Sequence, residues 1–242
     1  MNQKSRQNMK VMGETQSEGG VFDQVRIMGE CTITGSVEAN SCKVMGECVV
    51  SGDLCSDYFR NMGEAAIDGR LAAAESRFMG ETRVKGDCAL KKSSIYGELF
   101  AGRNLTGEDL TVRGMLHVAG DVSLETLDMR GGIYVEGMLN CDDVSITLKI
   151  NTDHYVNEIG AGRVSIKRKH ALFSAAPTKH FRAETIEGDH VSLEFTEAKV
   201  VRGVDVEIAD GCSIGRVEYS GFYKTSGHFD VGQVVRLDHK TN

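Results

Sequence analysis

Six glutamates recur at one position beside a repeated glycine: Glu14, Glu30, Glu47, Glu64, Glu81 and Glu98. Five cations, Lys10, Arg26, Lys43, Arg60 and Arg77, recur four residues before the first five of them. Repeated carboxylates could hold a divalent cation, whereas acids and bases set side by side could neutralise one another on a solvated face. Cys31 and Cys48 share another recurring position, which would place two thiols together either for metal ligation or as small core residues. The histidines are His117, His154, His170, His180, His190, His228 and His239, and His170, His180 and His190 are spaced by ten. Lys167–His170, "KRKH", offers a short basic patch for anionic lipid or nucleic acid.

None of these reaches an arrangement with a known mechanism. The chain contains no P-loop, GxSxG, HExxH or EF-hand pattern, and "GAG" at Gly160–Gly162 is too short to argue for a dinucleotide. We read the charged columns as a mutually compensating, solvated face and the cysteines as core filling. His117 is expected to point outward into solvent, and "KRKH" to be a solvated loop. The sequence therefore predicts no catalytic residue, no metal site, no cofactor and no small-molecule substrate, and the chain is expected not to be an enzyme.

Composition narrows the classes further. Of 242 residues 40% are hydrophobic, enough for a core, and 28 glycines against a single proline (Pro177) argue for regular structure with many corners. A formal charge of -7 argues against a nucleic-acid partner, because phosphate neutralisation needs a basic footprint. No apolar run reaches the length of a bilayer span, and no apolar signal-peptide segment follows the start. Seven cysteines without CxxC spacing are expected to be reduced thiols in the cytoplasm.

The element that must position all of these is a repeat. "MGE" occurs at residues 12–14, 28–30, 45–47, 62–64 and 79–81, and its glycine continues as Gly97, Gly114 and Gly131. The intervals are 16 and then 17 throughout. Counting from this glycine, positions +2, +4 and +8 are apolar in nearly every unit, as in Cys31, Ile33 and Val37. Positions +3 and +5 are polar or small, and a second glycine stands at +6 in most units. Such alternation marks half-buried strands, since a helix would repeat every 3.6 residues. A short unit cannot bury its apolar side alone, and stacking copies closes a continuous core. The fold class predicted is all-β: a right-handed parallel β-helix with one coil per 17 residues, over residues 11–148. Residues 1–10 are expected to form a flexible tail. Residues 149–242 lose the register and are read as an irregular β-rich extension, either further coils or a cap. There alternation returns at Val191, Leu193 and Phe195, and at Val204, Val206 and Ile208.

Between the charged columns run Met12, Met28, Met45, Met62 and Met79, then Tyr96. If alternation passes unbroken through the glycine corner, the preceding residues (Val11, Ile27, Val44, Asn61, Phe78, Ile95) point inward and the methionines outward. If the corner shifts the parity, the methionines fill the core, and this second arrangement is the one expected. Met28, Met45, Met62 and Met79 are nevertheless candidate self-assembly or partner contacts, together with Phe222, Tyr223 and Phe229 in "GFYKTSGHF".

The segments "GECTITGSVEA", "GECVVSGDL" and "AGDVSLETLDMRGGIYVEGML" resemble the bactofilins, bacterial cytoskeletal proteins that polymerise without nucleotide. The resemblance covers Val11 to Leu148. The chain runs on for about ninety residues, where the usual bactofilin has short tails, but "EAKVVRGVDVEIADGCSIGRVEYSG" is similar to longer bactofilin-like proteins of Gram-positive bacteria. The resemblance implies end-to-end stacking into filaments that serve cell shape, envelope organisation or motility. It implies as partners the chain itself, a related bactofilin, and peripheral membrane or envelope proteins. The expected location is the cytoplasm, including the inner face of the membrane, although the N-terminal peptide lacks bulky apolar residues before Met9. The alternatives are a non-polymerising scaffold and, less favoured, a β-helical acyltransferase or polysaccharide-acting enzyme. Hexapeptide acyltransferases repeat in multiples of 18, which does not fit this spacing.

Overall fold

The structure is a computed structural model and describes residues 6–149, 152–168 and 179–237. No helix occurs among the described residues, and the strands form parallel coils, a β-solenoid. The chain divides into two compact units, Met1–Gly120 and Asp121–Asn242.

The first unit opens with β1 (Gln7–Val11) and β2 (Glu14–Ser17). Eight-residue strands follow: β3 (Gly20–Ile27), β5 (Val37–Val44), β7 (Leu54–Asn61), β9 (Leu71–Phe78), β11 (Cys88–Ile95) and β13 (Leu105–Val112). They alternate with four-residue strands β4 (Glu30–Ile33), β6 (Glu47–Val50), β8 (Glu64–Ile67), β10 (Glu81–Val84), β12 (Glu98–Ala101) and β14 (Met115–Val118). Each long strand pairs with the long strands of neighbouring coils, and each short strand with short ones. Gln7 to Lys10 of β1 belong to the segment expected to be a flexible tail but pair as a strand, with Lys10 opposite Arg26.

Alternation explains the coil. Cys48 and Val50 of β6 point inward, as do the first, third, sixth and eighth residues of β7: Leu54, Ser56, Phe59 and Asn61. The parity shift between the third and sixth residues marks a bend, and the pairing passes over one residue there, such as Asn40 or Asp57. With the two glycine corners, this gives each coil three sides.

The corner glycine is required by stacking and not by its own dihedrals. None of the glycines at the "MGE" position has positive φ. A Cβ at Gly29, Gly46, Gly63, Gly80, Gly97 or Gly114 would collide with the backbone carbonyl of the corresponding glycine one coil earlier. The same carbonyls accept the N–H of the next coil's glutamate, as in Glu64 N to Gly46 O at 2.9 Å. The methionine N–H donates to the carbonyl two residues before the earlier glycine, as in Met62 N to Val44 O at 2.8 Å. "MGE" is therefore a rung of backbone contact in which a side chain on the glycine has no room. The other corner carries a side-chain ladder: Ser36 Oγ accepts from Asp53 N at 3.0 Å, and Asp53 Oδ1 accepts from Arg70 N at 2.8 Å.

The second unit uses longer strands: β15 (Val122–Met129), β16 (Gly132–Leu148), β17 (His154–Arg168), β18 (Phe181–Leu193) and β19 (Thr196–Ile208). It ends in β20 (Ser213–Tyr219), β21 (Tyr223–Thr225) and β22 (Asp230–Arg236). Each of β15 to β19 pairs with the next, β19 also pairs with β21, and β20 with β22. The irregular extension thus continues as coils. Its step changes from coil to coil, as the partners Val122↔Leu139, Leu139↔Ile159, Ile159↔Ile186, Ile186↔Val201 and Val201↔Val217 show. The two longest steps span the stretch where the register is lost in sequence, and Pro177 lies outside the described residues. Val191, Leu193, Val206 and Ile208 are buried as expected, but Val204 is exposed because the pairing passes over it at a bend.

Candidate functional site

The stacked corner brings the methionines of the first unit into one column, and that column faces solvent. Met12, Met28, Met45, Met62 and Met79 are between 37% and 71% exposed, and Tyr96 is 51% exposed. This overturns the expectation that they fill the core. Alternation passes through the corner without a shift, so Val11, Ile27, Val44, Asn61, Phe78 and Ile95 take the interior instead. Asn61, the polar member of that column, is satisfied internally. Its amide nitrogen donates to Glu81 O at 2.6 Å and Thr82 Oγ1 at 2.8 Å, and its oxygen accepts from Gly63 N at 3.0 Å.

Beside this ridge the charges stack like on like. Glu14, Glu30, Glu47, Glu64, Glu81 and Glu98 are register partners in succession, and so are Lys10, Arg26, Lys43, Arg60 and Arg77. The mutual compensation expected from sequence is not what the side chains do: among the described residues, no ion pair joins the two ladders. Two of the cations, Arg60 and Arg77, lean over the ridge instead. Arg60 Nη2 donates to Met79 Sδ at 3.6 Å, and the Arg77 guanidinium lies 5.9 Å from the Tyr96 ring centroid. Lys43 Nζ lies 5.6 Å from the Tyr58 ring, and the Arg60 Nε is buried with no hydrogen-bond partner.

Phe222, Tyr223 and Phe229 belong to the second unit. Phe222 is 79% exposed, Phe229 is 40% exposed, and Tyr223 is half-buried with its ring 5.3 Å from Tyr219. Sequence reasoning missed the residues beside them. Val231 and Val234 of β22 stack on the buried Ile214 and Val217 and end those core columns. Their signal was an alternation too short to distinguish from a loop.

Most of the cysteines are placed in the core and the histidines in varied surroundings. Cys31, Cys42 and Cys48 are buried, and burial raises the thiol pKa at each, to about 12 at Cys48, so none is a thiolate at neutral pH. His117 is half-buried against Phe100, centroids 4.7 Å apart, and not exposed as expected; burial lowers its pKa. His180 and His190 face Glu197 and Asp205 at 3.3 and 3.1 Å, while His170 and Lys169 lie outside the described residues. No cluster of three or more His, Cys, Asp or Glu side chains suited to a metal occurs among the described residues. His154, which sequence reasoning did not single out, is buried with both ring nitrogens unpartnered, and burial holds its pKa down to about 4.

The chain is similar to two proteins of Bacillus subtilis described only as uncharacterized. It is 39% identical to YhbF over 100 residues, 41% of this chain and 42% of that protein. It is 40% identical to YhbE over 89 residues, 36% of this chain and 37% of that protein. The chain thus spans about two-fifths of the length of the curated relatives it matches. No family model matches it, and no solved structure does. Among the described residues no helix is long and apolar enough to cross a membrane.

Proposed function

We propose that the chain is a non-enzymatic structural protein that self-assembles without nucleotide, coil end to coil end, like the bactofilins it resembles. The observation that carries this reading is the last described coil of the second unit. There the core columns run out at Val231, Val234 and Tyr223, with Phe222, Phe229 and Leu237 exposed beside them. β21 and β22 each pair along one edge only among the described residues, and so do β1 and β2 of the first unit. An unpaired edge with apolar side chains beneath it is a template for another strand. A contact of this kind that repeats without closing produces a filament. The reading places the protein in the cytoplasm, including the inner face of the membrane. Its partners are copies of itself, a related chain, and peripheral envelope proteins, and its roles are cell shape, envelope organisation or motility.

Negative-stain electron microscopy with light scattering over a concentration series, without nucleotide or metal, tests this. Filaments are expected, and Val234→Lys in the exposed edge strand should abolish them while circular dichroism stays unchanged. Uniform single particles from the unaltered chain at every concentration and salt would overturn the reading.

A further inference from the structure

We propose that the methionine ridge of the first unit is a lateral docking surface for a second copy of this chain, and that the two copies lie parallel. The pairing uses other residues than the end contact and does not depend on it.

Three observations converge on this occupant. The ridge is an exposed apolar strip running from Met12 to Tyr96, about 24 Å at one strand spacing per coil. The ladders that border it do not compensate each other: like charges are register partners all along each, no ion pair crosses from one to the other among the described residues, and of the ladder glutamates only Glu81 forms an ion pair there, with Arg83. Directly stacked like charges oppose folding, so opposite charges brought alongside would relieve both ladders at once. The partner must then carry acid and base one rung per coil, at the same rise, on either side of an apolar strip. A second copy supplies all three.

Symmetry fixes the direction. Across the ridge the order is cation, methionine, glutamate. A two-fold axis perpendicular to the ridge and lying in the contact plane makes the copies antiparallel and sets glutamates on glutamates. A two-fold axis parallel to the ridge makes them parallel and sets each glutamate ladder on the partner's cation ladder, methionine on methionine. Only the second is electrostatically allowed. The cations are already placed for it, since Arg60 and Arg77 reach over Met79 and Tyr96 and away from their own chain's glutamates. The strip is narrow compared with a stable interface, so a single pair associates weakly, in the micromolar range.

The test is a charge exchange read by sedimentation velocity, in the Val234→Lys chain so that end contacts do not interfere. One variant carries Glu47→Lys and Glu64→Lys, the other Lys43→Glu and Arg60→Glu. The parent should sediment as a reversible pair at high micromolar concentration. Each variant alone should lose affinity by about 100-fold or more, and mixing the two should restore pairing. Met45→Asp with Met62→Asp should also lose pairing with an unchanged melting temperature, which separates a surface effect from unfolding. A parent that stays a single chain overturns the proposal, as do variants that pair like the parent or a mixture that fails to recover. A single-chain parent that binds phosphatidylglycerol vesicles through Lys43 and Arg60 would overturn it in favour of a lipid surface. A parent that stays single while the mixture pairs would mean antiparallel contact, and overturns it too.

Discussion

Both units are built of parallel coils, but only the first stacks like charges in a repeated corner. In the first, every coil from β3 onward repeats at a fixed step, so the corner columns stack glutamate on glutamate and cation on cation, while unlike charges meet away from the corner, as at Lys85 and Asp68, 2.7 Å apart. In the second, the step varies and unlike residues meet. Asp143 faces Arg163 at 2.9 Å, Glu207 faces Lys224 at 2.9 Å, and Glu218 accepts from Arg202 at 2.6 Å. Regular repetition thus obtains a smooth core at the expense of like-charge columns, whereas irregular repetition neutralises its surface and gives up a uniform corner. Both keep the apolar columns continuous, because only the inward residues must agree between coils.

The sharpest way to break the comparison is at a glycine. Gly80→Ala forces a Cβ into the Gly63 backbone and should cost about 3 kcal/mol or more, lowering the melting temperature of the first unit. Gly160→Ala in the second unit meets only the end of the Met138 side chain, which can move, and should change stability by less than about 1 kcal/mol. The next largest effect is acid sensitivity in the second unit. His154 titrates near 6.5 when unfolded and at about 4 when folded, so the unfolded chain binds the proton first. The stability is complete above the unfolded value and is lost as pH falls toward the folded one, by about 2 kcal/mol near pH 5. Thermal melts near pH 7.5 and pH 5 should show that loss shrink in His154→Phe. The smallest effect has opposite signs in the two units. Added salt should slow hydrogen exchange in β5–β9 by screening like charges and speed it in β19–β22 by weakening ion pairs, each by about 1 kcal/mol or less. The same sign in both units would show that the ladders are not the difference.

Much of this was readable in the residues. The recurring glycine marked the coil, and the polar and apolar parity placed the core columns at +2, +4 and +8 of the first unit, but not those of the later half of each long strand, such as Cys42 and Phe59. Unbroken parity would also have pointed the methionines outward; what misled was the expectation that the glycine corner shifts the parity, which it does not. The second unit was less readable because coils need only match inward residues. Extra residues between strands, as between Ile159 and Ile186, leave the stack intact while destroying the period. The open edge was visible as Phe222, Tyr223 and Phe229, but not as Val231 and Val234, whose role depends on what lies beneath them. His154 had no sequence signal: its burial follows from its place above Ile133 and below Phe181.

A surface that repeats identically every coil has no landmarks. Any partner that reads the methionine ridge at Met45 reads it as well at Met28 or Met62, so a docked molecule can slide by whole coils at little cost in contact. Position along the strip must then be set where the lettering changes: at Tyr96, and at Arg113 and Met115, which stand where the earlier coils carry methionine and glutamate. For the second copy proposed above, those two coils would be the zero mark of a ruler whose other divisions are blank.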